Sequence, residues 1–191
     1  DLDAARVAWM DTHLKDQMVK TNKDVVYRTV EGTDLKLDLY VPASATNPPL
    51  VVWVHGGAWR AGNKKFARPY PFLTDRGFAV ASIQYRFSQE AIWPAQIHDC
   101  KAAIRWLRAH EGDYGYDAKN IGVWGSSAGG HLVAMLGTSG GVKGWDVGDH
   151  LDQSSRVQAV CDWFGPTDFL QMDAHSIPGG RIVHDALDSP E

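Results

Sequence analysis

The stretch Ile121-Gly122-Val123-Trp124-Gly125-Ser126-Ser127-Ala128-Gly129-Gly130-His131-Leu132-Val133-Ala134-Met135-Leu136 decides how this chain folds. Its first four residues form a continuous run, the pattern of a strand covered on both faces. From Ala128 to Leu136 the character is helical, despite Gly129 and Gly130. Ser127 therefore falls where a strand turns sharply into a helix. Such a turn needs small residues beside the serine, and Gly125 and Gly129 supply them. The turn would lift the Ser127 hydroxyl above the sheet edge, at a helix N-terminus where outward N–H groups favour developing negative charge. The Ala128 N–H is the natural donor to an oxyanion there. A Gly-x-Ser-x-Gly match alone is a weak signal, because small-residue turns are common.

Working outward, three more continuous runs appear: Val51–Val54, Phe78–Ile83 and Val157–Val160. Helical segments separate them, over Phe66–Arg76, Pro94–His110 and Ser127–Leu136. The second carries Ile97, Ala102, Ile104 and Leu107 on its apolar side, with Pro94 near its start, where a missing N–H does no harm. Ahead of these, Val25–Val30 and the alternating Leu35, Leu37, Leu39 and Val41 predict an antiparallel hairpin across Glu31-Gly32-Thr33-Asp34. A loose apolar stripe over residues 2–19 predicts an N-terminal helix or arm within 1–24, ahead of a main domain over 25–191. Gly137–Gly144 reads as a surface loop. Strand–helix alternation after an opening hairpin predicts an α/β fold, a doubly wound, mostly parallel sheet with an antiparallel edge.

A second motif strengthens the first. His55-Gly56-Gly57-Ala58-Trp59 directly follows the strand Val51–Val54. Adjacent glycines let backbone N–H groups turn into a site without a side chain in the way. Gly57 and Ala58 would complete, with Ala128, a hole for a tetrahedral oxyanion. Losing one such donor typically costs about 10²- to 10³-fold in rate.

Composition bounds the alternatives. The 191 residues are 44% hydrophobic and 22% charged, with net charge −4, so no nucleic-acid footprint is expected. Leu50–Val54 is far shorter than the roughly 20 residues of a membrane-spanning helix. The scattered histidines show neither zincin nor finger spacing, and Gly56-Gly57 lacks the Lys-Ser/Thr of a phosphate loop, so no metal or cofactor is expected. Eight Trp suggest an aromatic core, with Trp59, Trp93 and Trp163 also placed to line a site. Cys100 and Cys161 read as two buried thiols, with a bridge open if the protein is exported.

Together, His55–Trp59, Tyr85-Arg86, His98–Leu107, Gly125–His131 and Asp162–Asp168 resemble an α/β-hydrolase of the hormone-sensitive-lipase-like carboxylesterase type. Within it, the chain looks most like bacterial bifunctional feruloyl and acetylxylan esterases, from about residue 25 onward. The resemblance implies a serine ester hydrolase with Ser127 as nucleophile, an oxyanion hole of Gly57, Ala58 and Ala128, and His55 and Gly56 supporting the oxyanion loop. Trp59 and Trp163 become substrate-lining candidates. In this family the triad acid follows the seventh strand and the histidine the eighth. With Val157–Val160 read as the sixth, both fall beyond Glu191. Asp168 and His184 would satisfy the order Ser…Asp…His within the chain.

The implied substrate is a small ester or a polysaccharide ester, with acetyl or feruloyl groups on plant-wall polysaccharide. Two other readings stay open: an arylformamidase-like amide hydrolase, and a hydrolase-like interaction domain without a triad. A sheet ending after its sixth strand would leave an open edge, so self-association or pairing with a further C-terminal segment is expected. The chain begins at Asp1 rather than Met, which reads as a processed or trimmed start. With the resemblance, it points to a secreted or periplasmic location.

Overall fold

The computed structural model describes residues 4, 19–65, 67, 70–172, 174 and 175. Apart from Ala4, the expected helix or arm over residues 2–18 lies outside the described residues, as does His184.

The first strand, β1 (Val19–Val30), pairs antiparallel with β2 (Thr33–Pro42). Val30 faces Thr33, so only Glu31 and Gly32 form the connection, and both have positive φ (50° and 81°). That is the two-residue turn whose twist matches a hairpin. It is tighter than the sequence suggests, and β1 starts before Val25 because its early residues still find partners on β2. Next come β3 (Pro49–Val54), a short α1 (Tyr70–Thr74), β4 (Ala79–Ile83), α2 (Ala95–Ala109), α3 (Glu111–Tyr114), β5 (Asp117–Ser126), α4 (Ala128–Thr138) and β6 (Ala159–Trp163). The sheet order is β1-β2-β4-β3-β5-β6, with β3, β4, β5 and β6 parallel and β2 antiparallel to β4.

The continuous runs are continuous because both sheet faces are covered. On one face Val52, Val54, Ala81, Ile83 and Ile121 pack with Ile104, Leu107, Leu132 and Leu136 of α2 and α4. On the other, Trp53 and Val80 pack with Tyr40 and Leu73. At about 25 cal/mol per Å² of apolar surface, this two-sided burial is the main stabilising term.

Three expectations shift. Among the described residues of Phe66–Arg76 the helix covers Tyr70–Thr74, and Gly137 and Thr138 stay within α4 rather than opening a loop. The sixth strand is Ala159–Trp163, not Val157–Val160. Gly122–Ser126 of β5 pair with Ala159–Trp163, so register overrides the apolar pattern. Val160, Cys161 and Trp163 on β6 are exposed.

The helix α2 is buried almost all round, charges included. Asp99, fully buried, accepts from Arg28 at 2.6 Å and from Arg86 Nε at 2.9 Å. Lys64 is buried between Asp38 and Asp24, the latter at 2.8 Å. Cys100 is buried and Cys161 exposed, and both are free thiols. The expected pair of buried thiols is therefore half right, and no bridge joins them. No described helix is long and apolar enough to cross a membrane.

Candidate active site

Ser127 stands at the junction of β5 and α4 with φ 55° and ψ −124°, and its hydroxyl makes no capping hydrogen bond. A side chain in this region of backbone space is costly and persists only where its surroundings enforce it. The surroundings are visible. The Ser127 N–H donates to Trp163 O at 2.9 Å, and the His131 N–H donates to Ser127 O at 3.0 Å. Gly125 has no room for a side chain, since a Cβ there would lie 2.5 Å from the Gly129 carbonyl carbon. Gly129 likewise lies against the end of β3, where a Cβ would be 2.7 Å from His55 O. So the glycines flanking the serine allow the start of α4 to approach both the turn itself and the neighbouring strand.

The His55–Trp59 loop leaves β3 beside this elbow. A Cβ on Gly56 would lie 3.2 Å from the Ser127 Cβ, so the loop and the serine are in direct contact. Gly57, Ala58 and Trp59 all have positive φ (124°, 50° and 53°). The Gly57 carbonyl accepts from Arg60 and Ala61, each at 3.0 Å, which turns it away into a tight loop. Among the described residues, the N–H groups of Gly57, Ala58 and Ala128 donate to no backbone carbonyl. Gly57 and Ala58 are exposed, and Ser127 is half-buried. Unengaged N–H groups beside a half-buried hydroxyl can stabilise negative charge developing on an oxygen.

His55 is held as a brace. Its Nδ1 donates to Gly56 O at 2.8 Å, and its ring stacks on Tyr85 with centroids 4.6 Å apart. The Tyr85 hydroxyl in turn donates to His55 O at 2.9 Å. Burial holds the His55 pKa below the usual histidine value. His131, one turn along α4 from Ser127, is also buried. Burial lowers its pKa against the opposing pull of Asp162. Its ring meets Trp59, Trp93 and Phe169 with centroids 5.4, 5.5 and 5.0 Å away.

These rings wall a cavity of about 590 Å³ between α2, α4 and the segment after β6. Trp59 lines it. Trp163 does not. It alternates onto the other sheet face and packs edge-on against Trp124 at 4.8 Å, while its backbone carbonyl holds the elbow. Asp168 is exposed and accepts from Gln171 at 2.8 Å. Among the described residues no cluster of His, Cys, Asp and Glu could hold a metal ion. Sequence reasoning missed Trp145, Phe169 and Met135 as cavity walls. They come from segments with no shared motif, and only the surplus of tryptophan hinted at them.

A serine elbow opposed by a glycine loop on the neighbouring strand, in a sheet of this order, defines an α/β-hydrolase. The chain belongs to the BD-FAE family, whose model matches residues 37–190. Among curated proteins, the carboxylic ester hydrolase LipM of Mycobacterium tuberculosis, whose name is qualified as probable, is 34% identical over 127 residues, which is 65% of this chain and 29% of LipM. Esterase LipQ of the same organism is 34% identical over 69% of this chain and 31% of LipQ. The chain thus spans under a third of the length of these two relatives. Among solved structures, a bifunctional GH43-CE of Bacteroides eggerthii is 41% identical with a TM-score of 0.73, covering 81% of this chain and 22% of that one. A truncated carbohydrate esterase from gut microbiota is 38% identical with a TM-score of 0.74, covering 81% of this chain and 60% of that one.

Proposed function

We propose that this chain acts as a serine carboxylic-ester hydrolase through an acyl-enzyme on Ser127. The observation that carries the reading is the Ser127 backbone, held at φ 55° in contact with the Gly56 loop while its hydroxyl makes no capping bond to its helix. A fold with no chemistry at this point would relax to glycine there.

In this reading Ser127 Oγ attacks the ester carbonyl carbon. The carbonyl electron pair moves onto oxygen, which the N–H groups of Gly57, Ala58 and Ala128 receive. Collapse of that intermediate breaks the carbon–oxygen bond and releases the alcohol, which takes up a proton. Water then cleaves the acyl-enzyme by the same route. His55 and Gly56 hold the loop, and Trp59 borders the acceptor cavity. The hydroxyl needs a base to remove its proton. His55 Nδ1 is engaged with Gly56 O and His131 is enclosed by aromatic rings, so neither suits that role. Inside the chain the candidates for the acid and the base are Asp168, which is among the described residues, and His184, which is not.

The substrates proposed are acetyl or feruloyl esters of plant-wall polysaccharide. Supporting this are the carbohydrate-esterase neighbours and an aromatic cavity bordering the oxyanion loop.

Intact-mass spectrometry with a serine-reactive fluorophosphonate tests the reading, alongside rates on an acetyl ester and an aryl formamide. One adduct on Ser127, absent from Ser127→Ala, with faster turnover of the ester, is the expected result. Labelling elsewhere, or no hydrolysis by the full gene product, would overturn it.

A further inference from the structure

The cavity between α2 and α4 has an unusual outer wall. Trp145 stands edge-on to Trp93, with ring centroids 6.0 Å apart, and both line the cavity. Trp93 lies two residues before the start of α2. Trp145 belongs to the loop after α4, within a short 3₁₀ turn over Lys143–Trp145. The question is what holds that loop in place.

The answer lies on one stripe of α2. Lys101, Arg105 and Arg108 are spaced to share a helix face. Lys101 Nζ donates to Ser139 O at 2.9 Å and Val142 O at 3.2 Å, and lies 3.4 Å from Asp146 Oδ1. Arg105 donates to the same carboxylate oxygen at 3.1 Å, to Asp149 O at 3.2 Å and to Val147 O at 2.5 Å. Arg108 donates to Ser154 O at 2.8 Å and Arg156 O at 2.6 Å. The loop over residues 139–156 is therefore strapped to α2 by its carbonyls and by Asp146. Lys101 and Arg105 are 1% and 0% exposed. Buried cations without partners are strongly unfavourable, so this helix demands the docked loop. Asp146 is the residue next to Trp145, and seating it fixes where the indole stands.

Among the described residues, the cavity lining contains no Asp, Glu, Lys or Arg. It offers ring faces and edges from Trp59, Trp93, His131, Trp145 and Phe169, the surface that suits a flat or cyclic uncharged group. We propose that Lys101 and Arg105 are specificity-positioning residues: by seating Asp146 they hold Trp145 against Trp93 as the wall of a subsite for an uncharged, ring-bearing part of the substrate. The inference rests on the ester-hydrolase reading for its substrate, and on the strap geometry alone for its mechanism.

The test compares two matched ester pairs, cyclohexyl against ethyl acetate and methyl 3-phenylpropanoate against methyl propanoate. In the full-length protein, Lys101→Met should lower the ring-to-ringless ratio of kcat/KM in at least one pair by about three- to tenfold, the range expected for one aromatic contact. The loss should appear in KM. Lys101→Arg, which can still reach Asp146, should restore the ratio. If Lys101→Met does not fold, Trp145→Ala, which removes no buried charge, should show the same loss. Ratios unchanged in Trp145→Ala, or both members of each pair falling together in Lys101→Met, would overturn the proposal. If the wild type hydrolyses none of the four esters, the ester-hydrolase reading fails by itself. Tryptophan fluorescence titrated with 3-phenylpropan-1-ol then decides. Saturable quenching weakened by Lys101→Met sustains the subsite, and no saturable change overturns it.

Discussion

The backbone at position 127 permits a prediction that does not depend on chemistry. Ser127 has φ 55° and ψ −124°, a region that glycine enters freely and other residues do not. A non-glycine residue there carries about 1–3 kcal/mol of strain. Glycine gives back about 0.4–1 kcal/mol through the greater freedom of its unfolded chain. Comparing Ser127→Gly with Ser127→Ala removes the hydroxyl from both and leaves the backbone as the main difference. The serine is half-buried and its hydroxyl caps nothing, so little packing separates the two variants. Ser127→Gly should therefore be more stable than Ser127→Ala by about 1 kcal/mol, or about 2–4 °C in Tm for a chain of this size. Urea denaturation with parallel thermal melts measures it. A glycine variant less stable than the alanine variant would mean that the elbow carries no strain.

Other outcomes follow from the same contacts. Gly125→Ala places a Cβ 2.5 Å from the Gly129 carbonyl carbon, both on backbone that cannot move aside, and should cost about 3 kcal/mol in chemical denaturation; a loss under about 0.5 kcal/mol would mean that the turn relaxes. Asp99→Asn leaves Arg28 and Arg86 without their buried carboxylate and should destabilise by about 3–5 kcal/mol, so a melt matching wild type would refute the network. His55, His98 and His131 all have pKa values lowered by burial from the usual 6.5. As pH falls, such groups take up protons first in the unfolded chain. Their stabilising contribution is complete above the unfolded value and is lost as pH falls through the folded values. Tm should thus decline below about pH 6.5, and less steeply in His131→Gln; a Tm independent of pH across that window would contradict the burial of these rings.

The sequence shows the parallel strands because burial on both faces leaves a signature that needs no partner to be read. Val51–Val54 and Ile121–Trp124 are of this kind. It shows the elbow because the need for small residues at Gly125 and Gly129 is local. What it hides is set by distant pairing. Residues Val157–Val160 look like a strand, yet Asp162 and Trp163 are in the ladder and Val157 is not, since β5 dictates the register. On α2, charge alone would leave Lys101 and Arg105 in water, whereas the structure buries them under a loop some forty residues further along. Nothing near a lysine in the sequence announces a carbonyl waiting for it. The spacing of three basic residues along one helix stripe is the only local trace. The cavity is hidden for the same reason. Trp59 and Trp93 could be nominated from the sequence, but Trp145 and Phe169 join them only after the sheet is built.

The distribution of unusual backbone separates turn-making from site-making. Among the described residues, Asp24, Asn47 and His150 have positive φ, and these residue types enter that region most easily. Glu31 belongs to the hairpin turn, where the geometry requires it. Ala58, Trp59 and Ser127 have no such reason. Neither alanine nor tryptophan gains a local hydrogen bond from the left-handed region, and the serine hydroxyl caps nothing. Glycine at any of the three would be easier on the backbone. All three nevertheless lie within the His55–Trp59 loop or the serine elbow, which touch through Gly56 and Ser127. Phe164, with φ 46°, follows Trp163, whose carbonyl accepts the Ser127 N–H. Strain gathered at and beside two loops in contact, and maintained by residues a folding requirement would not choose, is best accounted for by what their side chains and N–H groups do there. An indole at 59 walls the cavity, the serine at 127 abuts the loop at Gly56, and the N–H of Ala58 donates to no described backbone carbonyl. The conformational cost is offset by the two-sided burial of β3 and β5, which end at these loops and hold them in register.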